Sequence, residues 1–225
     1  MSAPNDMIAE TRKADGNLHH YISNDRWQRI HDDSARDYKG GEWVREKLLG
    51  VGRMRRDLFS LATGNVLDVG CGYGSNFEYL TNATHITGID VSPVMLDMAH
   101  EQAHQLNIKV DLRQGDVEHL DFPDHAFDTV ISALATCSYL NPIAALHEMK
   151  RVCKPDGRLL LLEHGRSSWE LIGRFQDRSV VSSIERGGCR HNQEPQQIIQ
   201  AAGMKITSAR RSMIGVFHVI QVSPA

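Results

Sequence analysis

The 225-residue sequence is short of cysteine, of aromatic side chains and of long apolar runs. Its four cysteines, Cys71, Cys137, Cys153 and Cys189, form no CxxC pair. That excludes a disulfide-stapled miniprotein and makes a reducing compartment the default expectation. No apolar stretch reaches the roughly twenty residues that span a bilayer, so no transmembrane segment is expected. The first residues carry Asp6, Glu10 and Asp15 without a hydrophobic run, which argues against a secretory signal and against a mitochondrial presequence. The expectation is a soluble intracellular protein, cytoplasmic by default. Net charge is also small. The 25 Lys plus Arg against 28 Asp plus Glu leave −3, with no basic footprint for nucleic acid. The 12 histidines show no repeated metal-ligand spacing, and no metal is expected.

What is present is ordinary globular material, 41% hydrophobic and 24% charged, enough to bury a large core without cross-links. Residues 1–24 are polar and read as a loose tail; residues 1–40 form an N-terminal tail and a segment able to act as a lid, and 41–225 one α/β domain. From Trp27 to Phe59 the pattern is helical, with Gly50 and Gly52 arguing against one continuous helix. Short apolar strands then alternate with helices. The strands are expected at Val66–Val69, Thr84–Ile89, Ile108–Leu112, Phe127–Ser132 and Leu159–Leu162, with two more near Lys205–Ala209 and Val216–Val222. Ser92-Pro93 and Asn141-Pro142 each supply a polar N-cap followed by proline at the first helical position. Pro155-Asp156-Gly157 is expected to turn the chain into the fifth strand, and Gly203 to stop a helix over Glu194–Ala202. Apolar strands alternating with helices predict a Rossmann-like, doubly wound, mostly parallel seven-stranded sheet, with helices on both faces and an antiparallel last strand.

The strongest signal is Asp68-Val69-Gly70-Cys71-Gly72-Tyr73-Gly74, after the first strand and before an expected helix. Glycines there let backbone approach a ligand closely, and a helix N-terminus offers free N–H groups to an anion. A dinucleotide loop of G-x-G-x-x-G spacing would place its third glycine at Ser75. Here it falls one residue early, and an acid, Asp68, ends the strand, suiting an ammonium beside a carboxylate. Asp90 ends the second strand, where a carboxylate can accept both hydroxyls of a ribose, a contact shared with nicotinamide sites. Asp116, in Gln114-Gly115-Asp116-Val117, follows the third strand and can accept the exocyclic amine of adenine while Val117 donates its backbone N–H. Amino acid, ribose and adenine together describe S-adenosylmethionine.

On these motifs the sequence resembles the class I S-adenosylmethionine-dependent methyltransferases over roughly residues 40–222. Arg55-Arg56-Asp57-Leu58, Ala62-Thr63-Gly64-Asn65-Val66-Leu67, Gly74-Ser75-Asn76, Leu162-Glu163-His164-Gly165-Arg166-Ser167 and Gly188-Cys189-Arg190-His191-Asn192 are similar to the fungal mitochondrial methyltransferase-like proteins and the microsomal thiol methyltransferases. Ubiquinone-biosynthesis C-methyltransferases and small phospholipid N-methyltransferases are related. Tyr73 stands where the family usually has Thr, and no membrane anchor precedes the domain in this sequence. The resemblance implies S-adenosylmethionine as cofactor, S-adenosylhomocysteine as product and, for location, a mitochondrion as the alternative to the cytoplasm. It implies cofactor contacts at Asp68, Gly70, Cys71, Gly72, Tyr73, Gly74, Asn76, Asp90, Val91, Met95, Gly115, Asp116, Val117 and Ala133.

Methyl transfer is an in-line displacement at a sulfonium carbon, and a base is required only when the acceptor arrives protonated. The acceptor pocket is expected beyond the carboxyl ends of the strands. His164, after the fifth strand, is the candidate base; the alternative is a hydrogen-bonded structural histidine beside Glu163. Trp27, Tyr38, Cys137 and Tyr139 are candidates for the pocket wall, with core packing the competing role for Cys137. Trp27, His31, Tyr38 and Trp43 belong to the segment expected to close over the top. Cys189 and His191 offer two metal-ligand types without a second pair, which favours a turn or lid role. Three functions compete. The first is a methyltransferase for a small-molecule or lipid-like acceptor, and the second a catalytically silent cofactor-binding subunit. The third is a nicotinamide oxidoreductase, against which the glycine spacing and Asp68 argue.

Overall fold

The computed structural model describes residues 4–11, 16–37, 46 and 49–224. Seven strands form one sheet in the order β3-β2-β1-β4-β5-β7-β6. They are β1 (Gly64–Val69), β2 (Ala83–Asp90), β3 (Asp111–Gln114), β4 (Phe127–Ala133), β5 (Cys153–His164), β6 (Lys205–Ser212) and β7 (Phe217–Ser223). Strands β1 to β5 pair in parallel, whereas β7 runs antiparallel to both β5 and β6. The expected doubly wound sheet with an antiparallel last strand is the one observed.

Period-two alternation divides the core. Leu67, Val69, Val130, Leu159, Leu161 and Ile220 face one side, against α5 (Pro142–Val152) and α7 (Pro195–Ala201). Val66, Ile131, Leu160 and Leu162 face the other, against α3 (Val51–Phe59) and α4 (Pro93–Leu106). The run Leu159 to Leu162 is therefore apolar throughout because both faces are covered. The two cap readings hold: Ser92 Oγ accepts from Met95 N at 3.2 Å, and Asn141 Oδ1 from Ala144 N at 3.1 Å. The helical pattern before β1 does break at Gly50, which takes the left-handed conformation (φ 70°) at the start of α3.

Four sequence expectations are corrected. The stretch after the glycine loop is no regular helix but a single 3₁₀ turn at Phe77–Tyr79. Only Gly70 to Asn82 separate β1 from β2, and the Phe77 ring lies so close to Gly74 that a Cβ there would run into it. The third strand begins at Asp111 rather than Ile108, because Ile108 and Val110 pack against the α4 side before pairing with β2 starts. The fifth strand absorbs Pro155-Asp156-Gly157 as an irregularity between Phe127↔Cys153 and Thr129↔Arg158 instead of turning there. Residues 1–24 are not a loose tail throughout: α1 (Pro4–Thr11) and the segment from Gly16 carry Met7, Leu18 and Ile22 into a third cluster. That cluster also holds Trp27 and Ile30 of α2 (Asn24–Asp37) and Val180 and Ile184 of α6 (Glu170–Gly187), a helix the sequence pattern did not announce.

Candidate active site

At the carboxyl ends of β1, β2, β4 and β5 lies a cavity of about 540 Å³. Its floor is the glycine loop. Gly70 and Cys71 both donate their N–H groups to Ile89 O, at 2.9 and 3.0 Å, which presses the loop onto β2. Gly72 donates its N–H to Asp90 Oδ2 at 2.8 Å, while Asp90 Oδ1 accepts from Ser92 N at 3.0 Å. Asp90 is thereby oriented, and burial pushes its carboxyl above the usual range against those two donors. Gly72 has a positive φ and nothing within 4 Å of where a Cβ would stand, so its missing side chain leaves cavity space.

Gly70, Cys71, Gly72, Tyr73, Asp90, Val91, Met95, Asp116, Val117 and Ala133 all reach the wall. Asp68, Gly74, Asn76 and Gly115 do not. Asp68 is fully buried at the end of β1, where both its oxygens accept from Asn76 Nδ2 at 3.0 Å. Burial lifts its carboxyl to about 7, opposed by that hydrogen bond and by Arg55. Asn76 Oδ1 in turn accepts from the guanidinium of Arg55, a residue on the cavity wall that the motif reading left without a role. Asp116 is half exposed and accepts Glu118 N at 2.9 Å through Oδ1.

Another part of the cavity wall is built by β4, β5 and α6. Cys137, Tyr139 and His164 reach it, as does Cys189 from the loop after α6. Tyr139 turns its hydroxyl away from the opening, donating to Val69 O at 3.0 Å and touching Ser132 Oγ at 3.1 Å. Glu163 faces the opposite side from His164, as adjacent strand residues must. It accepts from Ser132 Oγ at 3.2 Å and Thr136 N at 3.3 Å, and burial raises it to about 7. His164 Nε2 lies 3.4 Å from Cys189 Sγ. Hydrogen bonding from Cys137, reinforced by His164, pulls the Cys189 thiol well below its usual value, while Cys137, the donor, moves well above its own. The pairing of Cys189 with His164 was not visible in sequence, where the two are 25 positions apart.

Trp27 and His31 of α2 also line the cavity, with their rings edge to face at 5.2 Å. Asp32 on the same helix accepts from Ser92 Oγ, tying the helix to the start of α4. Burial lowers His31. Tyr38 and Trp43, expected in the same segment, lie outside the described residues. Gln176 of α6 joins the wall, and its Nε2 donates to Gly165 O and His191 O at 3.1 and 2.7 Å.

A family model for a methyltransferase domain matches residues 67–161, which run from the strand carrying Asp68 to β5. Methyltransferase OMS1, mitochondrial, of Saccharomyces cerevisiae is 27% identical over 205 residues, covering 83% of this chain and 44% of the yeast protein. Residues 67–161 are thus similar to a methyltransferase domain, and the chain as a whole to a mitochondrial methyltransferase. Phosphatidylethanolamine N-methyltransferase of Cereibacter sphaeroides is 36% identical over 103 residues, 45% of this chain and 51% of that enzyme. In fold, an S-adenosylmethionine-dependent methyltransferase of Thermotoga maritima superposes with a TM-score of 0.65 at 19% identity, covering 88% of this chain and all of that one. The chain spans about half the length, or less, of these two curated relatives. S-adenosylmethionine is the cofactor of the family, and the loop, Asp90 and the opening at Gly72 fit it: close backbone, an oriented carboxylate and no side chain in the way. Among the described residues no helix is long and apolar enough to cross a membrane.

Proposed function

We propose that this protein transfers a methyl group from S-adenosylmethionine to a small-molecule or lipid-like acceptor held within the cavity. The observation that carries this reading is one cavity lined by two chemically different sets of groups: backbone of the glycine loop, Asp90 and Asp116 in one, and His164, Cys137 and Cys189 in the other. About 540 Å³ falls in the range of roughly 300–1,000 Å³ typical of small-molecule sites. A folded macromolecule would have to present its acceptor as a protruding group.

In this reading Asp90 accepts the ribose hydroxyls, Asp116 and Val117 meet the adenine, and Arg55 faces the carboxylate of the amino-acid part. Asp68 works from behind the wall: it fixes Asn76, which fixes Arg55 and the end of the loop. Tyr73 lies over the loop beside the adenosyl group. The bound cofactor supplies an electrophilic methyl on a sulfonium with a neutral leaving group, so the protein has chiefly to align the acceptor and exclude water. We assign the excluding to α2, whose Trp27 and His31 line the cavity. A thiol, hydroxyl or carbon acid must also lose its proton, and we assign promotion of that loss to His164.

A radiolabelled methyl-transfer screen over thiols, quinone precursors, amines and phospholipids tests the reading. Label in one acceptor class is the expected result. Tight cofactor binding with no transfer to any class would instead make the chain a silent cofactor-binding subunit.

A further inference from the structure

Cys137, His164 and Cys189 arrive at one point from three parts of the fold. Cys137 sits in the 3₁₀ turn Thr136–Ser138 after β4, His164 at the end of β5, and Cys189 in the loop after α6. Two sulfurs and one imidazole nitrogen lie within 4.8 Å of one another. Nothing in the assembly of the core requires this: each residue also touches the cavity. The 3.4 Å from His164 Nε2 to Cys189 Sγ is close to what a shared metal would need. With Zn–S of about 2.3 Å and Zn–N of about 2.0–2.1 Å, tetrahedral ligand atoms stand about 3.5–3.8 Å apart. A drawing-in of the widest pair by at most about an ångström completes such a set.

We propose that Cys137, His164 and Cys189 bind one Zn²⁺ whose fourth position opens to the cavity and takes a thiol. Two thiolates and an imidazole select a soft or borderline cation over magnesium or calcium. Three protein ligands with one position left to substrate is the arrangement of a catalytic rather than a structural site. The two cysteines release their protons to solvent when the metal binds. The acceptor's S–H proton likewise leaves to solvent as its sulfur joins the metal. The thiolate sulfur then forms the new S–CH₃ bond, while the sulfonium S–CH₃ bond breaks and its electron pair remains on the departing neutral sulfur. His164 thereby promotes proton loss as a ligand, without taking the proton itself. The thiol half of this proposal rests on the methyl-transfer reading above; the metal half does not.

The test uses the full chain, reduced with a non-chelating phosphine, stripped of metal and titrated with Co²⁺. One cobalt per chain with intense thiolate-to-cobalt absorption is expected, displaced by Zn²⁺ and shifted by added thiophenol. Cys137→Ser, His164→Asn and Cys189→Ser should each weaken uptake by more than the roughly 10–100-fold that loss of an outer-shell partner costs. Cys153→Ser, whose thiol is in the core of β5 away from the cavity, should keep it. Calorimetry with S-adenosylmethionine on the same samples reports whether each variant is folded and whether the methyltransferase reading stands by itself. Reduced, cofactor-binding wild type that takes up no cobalt overturns the site. Uptake that survives all three substitutions overturns the ligand assignment, and a spectrum indifferent to thiophenol overturns the thiol.

Discussion

Gly70 rests on Tyr139: a Cβ on the glycine would stand 3.0 Å from the tyrosine hydroxyl and 2.8 Å from Ala135 Cβ. The loop that floors the cavity is therefore set by a side chain that follows the 3₁₀ turn after β4. Gly70→Ala, at a φ of +68°, should lower stability by about 1–3 kcal/mol through overpacking, and should weaken S-adenosylmethionine binding with it. Gly72→Val, where the space is open, should carry only the backbone strain of a side chain at a φ of +53° and abolish binding while the fold survives. Denaturant melts set beside calorimetry distinguish the two; equal effects on both quantities in both variants would contradict the difference in surroundings.

Asp90 and Asp116 should differ in weight. Asp90→Ala removes charge-assisted hydrogen bonds of roughly 1.5–3 kcal/mol each if both ribose hydroxyls are held. It also frees the N–H groups of Gly72 and Ser92. Asp116→Ala should cost less, because its carboxylate is half exposed and Val117 keeps its backbone donor. Isothermal titration with S-adenosylmethionine measures both, and wild-type affinity in Asp90→Ala would place the ribose elsewhere.

His164→Gln removes the group assigned to promote proton loss and should lower kcat by more than about tenfold while leaving cofactor affinity unchanged. Single-turnover rates with a responsive acceptor report the first quantity and calorimetry the second. A rate within twofold of wild type (roughly 0.4 kcal/mol) would make alignment alone sufficient.

Asp68 gives stability a direction with pH. Its carboxyl is about 7 in the folded chain against 3.8 as a free side chain, so the folded state holds a proton that the unfolded state has lost between those values. Stability from this group is present at the acid end and declines as pH rises toward about 7, then levels. Arg55 and Asp90 are the charged groups facing it, the first lowering and the second raising its value. Asp68→Asn should remove that slope. Urea melts of both proteins at about pH 5 and about pH 8 test it: the stability of wild type relative to the variant should fall with rising pH. A constant difference would mean that Asp68 is ionised throughout.

Arg190 is buried, donating to Gly16 O at 2.9 Å and to Tyr139 O, and burial lowers it only to about 10, so it stays charged. Arg190→Met would strip donors from two buried carbonyls, at about 1–3 kcal/mol for each one left unsatisfied. Hydrogen exchange should accelerate selectively at Leu18 and Ile22. Unchanged protection there would separate the arginine from the docking of the N-terminal segment.

The parallel sheet, both proline-led helices and the wall positions from Gly70 to Ala133 were legible because each rests on local chemistry: a cap, a glycine, an acid ending a strand. Helix α6 was not. Its buried positions include Gly173, Gln176 and Asp177 beside Val180 and Ile184. Polar side chains there bond backbone and partners such as Asn192 instead of filling an apolar stripe. The supporting role of Asp68 was hidden for a related reason. A strand-ending acid reads the same whether it meets a ligand or, as here, an asparagine eight positions on. Cys189 beside His164 is a product of tertiary structure alone.

The bond from Arg190 to Gly16 spans 174 positions. On a ribosome the earliest-made part of this chain therefore waits for one of the latest. Until residue 190 has emerged, Leu18, Ile22 and Trp27 have no α6 to cover them. They stay open to chaperones and to neighbouring chains during most of synthesis, which proceeds at about 5–20 residues per second. The part of α2 that lines the cavity therefore docks only after α6 has been made, and a chain that stalls before α6 leaves Trp27 and Ile30 without Val180 and Ile184 to pack on.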